Sequence, residues 1–311
     1  MQCDACPAAA IVDQPYRGTH LCAVHLMDSV RERVRHEMHE QFPRFRGGTV
    51  AVALSGGKDS ATALYLTHAY FRRRSNVHLI AITVDEGIPG YRPATIERAK
   101  ELCRTLDVEH VVVSAKQTIG VTTDEVARLR PETVPCSYCG VWRRQLLNGA
   151  ARSAGADVLV LGFNLDDLAQ TVLMNLAHAD LARLARMAPH TVRQEGLVPR
   201  IAPLATIPER EVYLFAREAG LPFDHGECPH AGAAARNVFR EVVWRLEEEF
   251  PGTRHALLHT RSQFLELLDR SEVAGAPMRC ADCGEPSSQT LCRACEFLRS
   301  VRAGPTLEAV P

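Results

Sequence analysis

Ser55-Gly56-Gly57-Lys58-Asp59-Ser60 sets two glycines, a lysine, a carboxylate and two hydroxyls directly after an apolar run at 49–54. A buried strand that empties into a Gly-Gly turn and then a helix points backbone N–H groups at one spot, where the helix dipole favours an anion. Lys58 adds a point charge there, and Ser55 and Ser60 add hydroxyl donors. The Walker pattern G-x-x-x-x-G-K-S/T is not met, because it needs glycine at Val52 and Ser or Thr at Asp59. The loop suits the pyrophosphate of ATP as a leaving group better than γ-phosphoryl transfer.

Eleven cysteines form three groups, with Cys103 apart in an apolar helical stretch, where it reads as core. Cys3-x2-Cys6-x15-Cys22-x2-His25 and Cys280-x2-Cys283-x8-Cys292-x2-Cys295 each supply four ligands to one tetrahedral ion. With every position filled by protein, both read as structural zinc knuckles, and His20 reads as a surface histidine. The third group, Cys136, Cys139 and Cys228, is one thiol short of a closed zinc site. Cys136 and Cys139 open a helix behind Pro135, a position that lowers thiol pKa values. Two readings stand open: a persulfide and disulfide relay, or three thiolates on a 4Fe-4S cluster with one iron left to bind sulfide.

These groups need a scaffold, and 311 residues with 46% hydrophobic and 23% charged content provide one large α/β domain with small appendages. No apolar run approaches the ~18–20 residues of a membrane span, so no membrane association is expected. The N-terminus lacks a secretory pattern, and a cytoplasmic location is expected. Net charge is −1, which gives no global attraction to nucleic acid. Lys58, Lys100 and Lys116 are the only lysines, and the arginine clusters at 31–35, 72–74, 143–144 and 183–186 each read as solvated helix faces when judged alone.

Strand-like runs at Val50–Leu54, Val77–Val84, Glu109–Ser114 and Val158–Gly162 alternate with helix-like segments at Ala61–Arg73, Pro93–Leu106, Ser137–Ala154 and Asp166–Leu184. Nearly continuous apolar strands between helices predict a doubly wound parallel sheet covered on both faces. Ligands in such sheets bind beyond the carboxyl ends of the strands. The Gly-Gly loop, Asp85-Glu86-Gly87 and Gly162-Phe163-Asn164 all fall there. A polar helix from Asp28 to about Gln41 precedes the sheet, and helices at Pro208–Ala219, Asn237–Phe250 and about Thr253–Leu268 follow it. The expected domains are an N-terminal knuckle at 1–27, a catalytic domain at 28–270 and a C-terminal zinc ribbon at 278–298. A linker at Ser271–Pro277 and a flexible tail at 299–311 complete the chain.

The loop resembles the PP-loop of the N-type ATP pyrophosphatases, which activate a carbonyl oxygen by adenylation. Together with Val84-Asp85-Glu86-Gly87-Ile88-Pro89-Gly90-Tyr91-Arg92, Pro135-Cys136-Ser137-Tyr138-Cys139-Gly140, Asn164-Leu165-Asp166-Asp167 and Glu227-Cys228-Pro229, it makes the chain resemble the tRNA 2-thiouridine synthetases of the TtuA type. TtcA is a more distant likeness and lacks the terminal knuckles. The resemblance implies ATP-dependent transfer of sulfur to C2 of a tRNA uridine, with position 54 slightly favoured over 34. It also implies a three-cysteine 4Fe-4S cluster, a ubiquitin-like thiocarboxylate sulfur carrier and a homodimer.

On this reading Ser55, Gly56, Gly57, Lys58, Asp59 and Ser60 hold the β/γ phosphates, and Asp59 with Asp166 or Asp167 holds Mg²⁺. Gly162 and Asn164 line the nucleotide crevice beside Asp85, while Cys136, Cys139 and Cys228 deliver sulfur. Arg143 and Arg144 steady tRNA or a phosphate. Two residues depart from the family: Phe163 stands where a histidine is usual, and His230 where an aromatic is common. The rival readings are a PP-loop ligase forming a C–N bond, which leaves the three cysteines without work, and a non-catalytic zinc-knuckle RNA-binding adaptor.

Overall fold

The computed structural model describes residues 1–43, 45–267 and 278–303. Its centre is a strand whose middle residues, Val50, Ala51 and Val52, are fully buried, as a strand covered on both faces requires. The chain begins with a hairpin of β1 (Val12–Gln14) and β2 (Thr19–Leu21), then α1 (Ala23–Gln41) and this central strand, β3 (Gly48–Ala53). There follow α2 (Lys58–Phe71), β4 (Val77–Asp85), α3 (Arg92–Leu106), β5 (Glu109–Ser114), α4 (Ala115–Thr118), α5 (Thr123–Leu129), α6 (Pro135–Ser153) and β6 (Ala156–Val160). The remainder is α7 (Leu165–Ala177), α8 (Leu181–Ala185), β7 (Arg200–Ile201), α9 (Glu209–Glu218), α10 (Arg236–Glu249), α11 (Thr253–Leu267), a hairpin of β8 (Met278–Arg279) and β9 (Pro286–Ser287), and α12 (Arg293–Arg302).

The main sheet is parallel, in the order β5-β4-β3-β6-β7. The chain runs outward from β3 to β5 and then returns to place β6 on the other side of β3. Strand order therefore reverses between β3 and β6, and their carboxyl ends open the ligand crevice of a doubly wound fold. Residues of α1, α2, α3 and α9 pack on one face, including Leu26, Leu64, Leu102 and Phe215. Leu147, Ala150 and Ala151 of α6 cover Ala51, Ile80 and Leu159 on the other. No helix among the described residues is long and apolar enough to cross a membrane.

Each end of the chain is fastened to this core. The first helix begins at Ala23 rather than Asp28, so the expected ligand His25 rides on α1, whose Leu26, Val30, Val34 and Met38 are buried. At the other end, Trp142 Nε1 donates to the Ala294 carbonyl at 3.2 Å, and Tyr138 stacks on Phe297 with ring centroids 4.1 Å apart. The last helix continues to Arg302 with Val301 buried, so 299–302 are helical rather than tail. The linker expected at Ser271–Pro277 and the tail from 304 onward lie outside the described residues.

Other departures have local causes. The single helix expected over Asp166–Leu184 breaks into α7 and α8 at Ala179, which takes a φ of +53°. The helix α5, which no helix-like run of the sequence marked, is started by a capping box between Thr122 and Glu125. The strand β7 lies outside every strand-like run of the sequence and is only two residues long.

A buried charge joins the N-terminal knuckle to α9. Tyr16 donates to Glu211 Oε1 at 2.6 Å, Arg33 pairs with Glu211 Oε2, and Arg33 Nη1 donates to the Tyr16 hydroxyl at 3.1 Å. Removing one partner of such a pair strands the other charge. Glu211→Ala is therefore expected to lower stability by about 3 kcal/mol or more in urea unfolding; a loss below about 1 kcal/mol is the value expected of an exposed pair and contradicts this role.

Candidate active site

The phosphate loop is shaped by what surrounds it. Leu54 N–H donates to Ile82 O at 2.8 Å and carries β3 past its last residue. Gly56 then takes a φ of +87°, and a Cβ there would lie 2.0 Å from the Thr95 carbonyl of α3, so only glycine fits. Gly57 precedes the first turn of α2 with no side-chain cap, which leaves that turn's N–H groups for an anion. Ser60, expected as a phosphate donor, instead braces the loop. Its hydroxyl accepts from Ser55 N and donates to Gly57 O, both at 3.0 Å, and the residue is 6% exposed.

Lys58 Nζ lies 3.0 Å from Asp59 Oδ2 and 2.8 Å from Glu209 Oε1 at the start of α9. Burial alone would lower its pKa, but the two carboxylates hold it above the ordinary lysine value. Asp59 Oδ1 accepts from Asn164 Nδ2 at 3.0 Å. Asn164 caps α7 in a reciprocal box with Asp167, and burial pushes the Asp167 carboxyl up to about 6 against the pull of Arg236. A Cβ on Gly162 would meet Ser60 Cα at 3.0 Å, so β6 and α2 close tightly around the loop.

The remaining carboxylates are placed differently. Asp166 is committed elsewhere, with Oδ1 2.6 Å from Arg254 Nη1 and Oδ2 accepting Glu209 N at 2.7 Å. It acts as a brace between α7, α9 and α11, while Glu209 is taken up by Lys58, and Asp59 and Asp167 both meet Asn164 beside the loop. Asp85 accepts Gly87 N at 2.9 Å and shapes the turn after β4. Phe163, 38% exposed, sits just past the end of β6.

The three cysteines come from two segments. Cys136 and Cys139 occupy the first turns of α6. Cys228 lies on a stretch that touches both sites: Asp224 N donates to Gly56 O at 2.9 Å, and Cys136 Sγ donates to His230 O at 3.2 Å. Seven residues thus run from the phosphate loop to the cysteine helix. The lowered thiol pKa expected at a helix start is not what this setting produces. Burial raises the Cys136 thiol, with Cys228 adding to it, and burial raises Cys139 despite the nearby Arg143.

Only two groups among the described residues bring all their ligand atoms within 4.8 Å of one another, and this trio is not one of them. A single zinc ion with sulfurs at about 2.3 Å holds them about 3.8 Å apart. The trio is too widely spread for that, whereas the terminal groups fit it. Cys6 and Cys22 sulfurs are 3.7 Å apart and Cys283 and Cys292 sulfurs 3.6 Å, while His25 Nδ1 lies 3.2 Å from Cys22 and 3.4 Å from Cys3. Against burial, N–H groups of Cys292, Cys283 and Asp282 hold the Cys280 thiol at about 6. His20 faces Asp4 and Asp13 instead of the ligand group.

Several residues here had no role in the sequence reading. Glu209, Arg236 and Arg254 reach the loop region from helices far along the chain, and no local spacing reveals them. Arg144, already expected beside Arg143 to steady tRNA or a phosphate, has partners that the sequence did not show. Arg143 and Arg144 are both exposed; desolvation around Arg144, with Arg143, Arg200, Arg183 and Arg236 adding to it, lowers its pKa to about 10, so the positive cluster extends beyond the local 143–144 pair.

Comparison with known proteins agrees with this geometry. A family model described as PP-loop domain matches residues 29–247. The chain is similar to the tRNA 2-thiolation protein NcsA of Haloferax volcanii, at 37% identity covering 97% of this chain and 100% of that one. It is similar to the tRNA-5-methyluridine(54) 2-sulfurtransferase of Pyrococcus horikoshii, at 30% identity with 96% and 93% covered. Among solved structures it resembles the U34-tRNA thiolase NcsA from Methanococcus maripaludis with its 4Fe-4S cluster, with a TM-score of 0.83, 32% identity and 96% of each chain covered. The chain belongs to the PP-loop family, in the branch of the TtuA- and NcsA-type proteins.

Proposed function

We propose that this chain is an ATP-dependent tRNA sulfurtransferase that adenylates the C2 carbonyl oxygen of a uridine and replaces that oxygen with sulfur. The observation that carries the reading is the 224–230 segment, tied to the Gly56 carbonyl at one end and to the Cys136 thiol at the other. This supports a reading in which a loop suited to pyrophosphate and a set of sulfur ligands serve one site. The names of the relatives, which are tRNA thiolation proteins and sulfurtransferases, support the same reaction class.

The uracil C2 oxygen is a poor leaving group until it attacks the α-phosphorus of ATP and expels pyrophosphate. N–H groups of the α2 start and the Lys58 charge hold the β/γ phosphates, where negative charge develops. Asp59 and Asp167 take the Mg²⁺ that neutralises it. The part-exposed Cys136, Cys139 and Cys228 provide three sulfur donors, a number that suits a three-cysteine cluster better than a closed four-ligand zinc site. When bound, a three-cysteine 4Fe-4S cluster supplies an iron without a protein ligand, where sulfide can be held. Arg144, Arg183, Arg200 and Arg236 contact tRNA phosphates. The sulfur carrier, the homodimer and the cytoplasmic setting follow from the family resemblance and are part of this proposal.

Two measurements test it. Nucleoside mass spectrometry of tRNA from a deletion strain is expected to show loss of one 2-thiouridine-type nucleoside, with the TtuA-like layout favouring position 54 on mapping. An unchanged thiolated pool sinks the activity, and loss at position 34 reassigns the site. The terminal groups are proposed to hold zinc, so the purified protein is expected to carry two zinc per chain. Cys292→Ser should release one of them and lower the melting temperature by several degrees, since α12 packs on α6. Zinc content unchanged by that substitution contradicts the assignment.

A further inference from the structure

A buried ion pair lies between the phosphate loop and the cysteine helix. Arg92, at the start of α3, is 3% exposed, and Glu86 is 5% exposed. Arg92 Nε sits 2.7 Å from Glu86 Oε2, its Nη1 donates to Ser55 O at 2.9 Å, and its Nη2 donates to Val84 O. One guanidinium thus holds the first carbonyl of the loop, the end of β4 and the carboxylate. The other Glu86 oxygen faces Arg143 Nη1 at 3.6 Å, one turn beyond Cys139 on α6. The Glu86 backbone carbonyl accepts Thr123 N at 2.9 Å, which fixes its position from α5 as well. The chain of contacts runs Ser55, Arg92, Glu86, Arg143 and ends beside Cys139.

We propose that Glu86 and Arg92 are positioning residues that set the spacing between the activated uridine and the sulfur-bearing cysteines. Arg92 does so by fixing the Ser55 end of the loop, and Glu86 by holding Arg143 at Cys139. Neither is a catalytic residue, since both are buried and already engaged. The inference rests on the sulfurtransferase reading above. If the spacing slips, water reaches the activated base before sulfur does. Adenylated uridine and water then give uridine and AMP, and ATP is consumed without thiolation.

The test compares 2-thiouridine formed with AMP released, using the cluster-loaded full chain, tRNA, ATP and sodium sulfide. Glu86→Gln and Arg143→Gln are each expected to lower the thiouridine-to-AMP ratio roughly tenfold or more, as small misplacements do. The double variant should be no worse than either single one, because the residues act as a unit. In cluster-free protein, calorimetry is expected to show Arg92→Lys weakening ATP binding about tenfold through loss of its forked donors, while Glu86→Gln stays within about twofold.

A merely structural role lowers thiouridine and AMP together, leaving the ratio and the ATP affinities without this split; that result overturns the proposal. Arg143 is half exposed, so its variant keeps the fold and stays readable if Glu86→Gln does not fold; an unchanged ratio in Arg143→Gln overturns the Glu86 arm. Wild-type protein that makes no thiouridine counts against the sulfurtransferase reading, and the ATP affinities still decide the Arg92 arm.

Discussion

The buried guanidinium of Arg92 is the constraint on which the site depends. A charge that is 3% exposed must find partners or cost several kcal/mol. Its partners are the Ser55 carbonyl, the Val84 carbonyl and Glu86, so the ends of β3 and β4 are obliged to converge on the start of α3. The same helix presses the Thr95 carbonyl against Gly56, so the loop is squeezed as well as held. Lys58, Asp59 and Asn164 can then form a continuous polar row across the gap between α2 and α7.

Cysteines serve this fold in two electrostatic settings. In the C-terminal group, backbone N–H donors hold the Cys280 thiol at about 6 against burial, while burial and the neighbouring thiols raise Cys292 and Cys295. In the central trio, burial prevails and keeps Cys136 and Cys139 protonated above their ordinary range. The outer site also supports the inner one, because α6 carries Cys136 and Cys139 at its start and Tyr138 and Trp142 against α12. The terminal group therefore helps to set the direction of the helix that bears Cys136 and Cys139.

The parallel sheet was legible from the chain because most of its strands are nearly continuously apolar, and the loop because two glycines and a lysine follow one of them. Single-chain patterning also places Cys228 in the same set as Cys136 and Cys139, although only the fold brings the 224–230 segment to both sites. What stayed hidden depends on long-range partners. Ser60 and Asp166 look like ligand donors in sequence, yet Gly57, Ser55, Arg254 and the Glu209 N–H take up their polar atoms. The strand β7 is too short for any periodicity to register, and the break at Ala179 carries no glycine or proline to mark it. Glu209 reads as an ordinary helix-start acid until α9 is seen to deliver it to Lys58.

The central claim is that the loop activates the uridine C2 oxygen itself, so that sulfur can replace it. The most direct measurement uses tRNA carrying ¹⁸O at C2 of the target uridine, with mass analysis of the AMP released during thiolation. The account predicts that the label leaves uridine and appears in the AMP phosphate, one atom for each 2-thiouridine formed. Unlabelled AMP accompanying thiolation would contradict it.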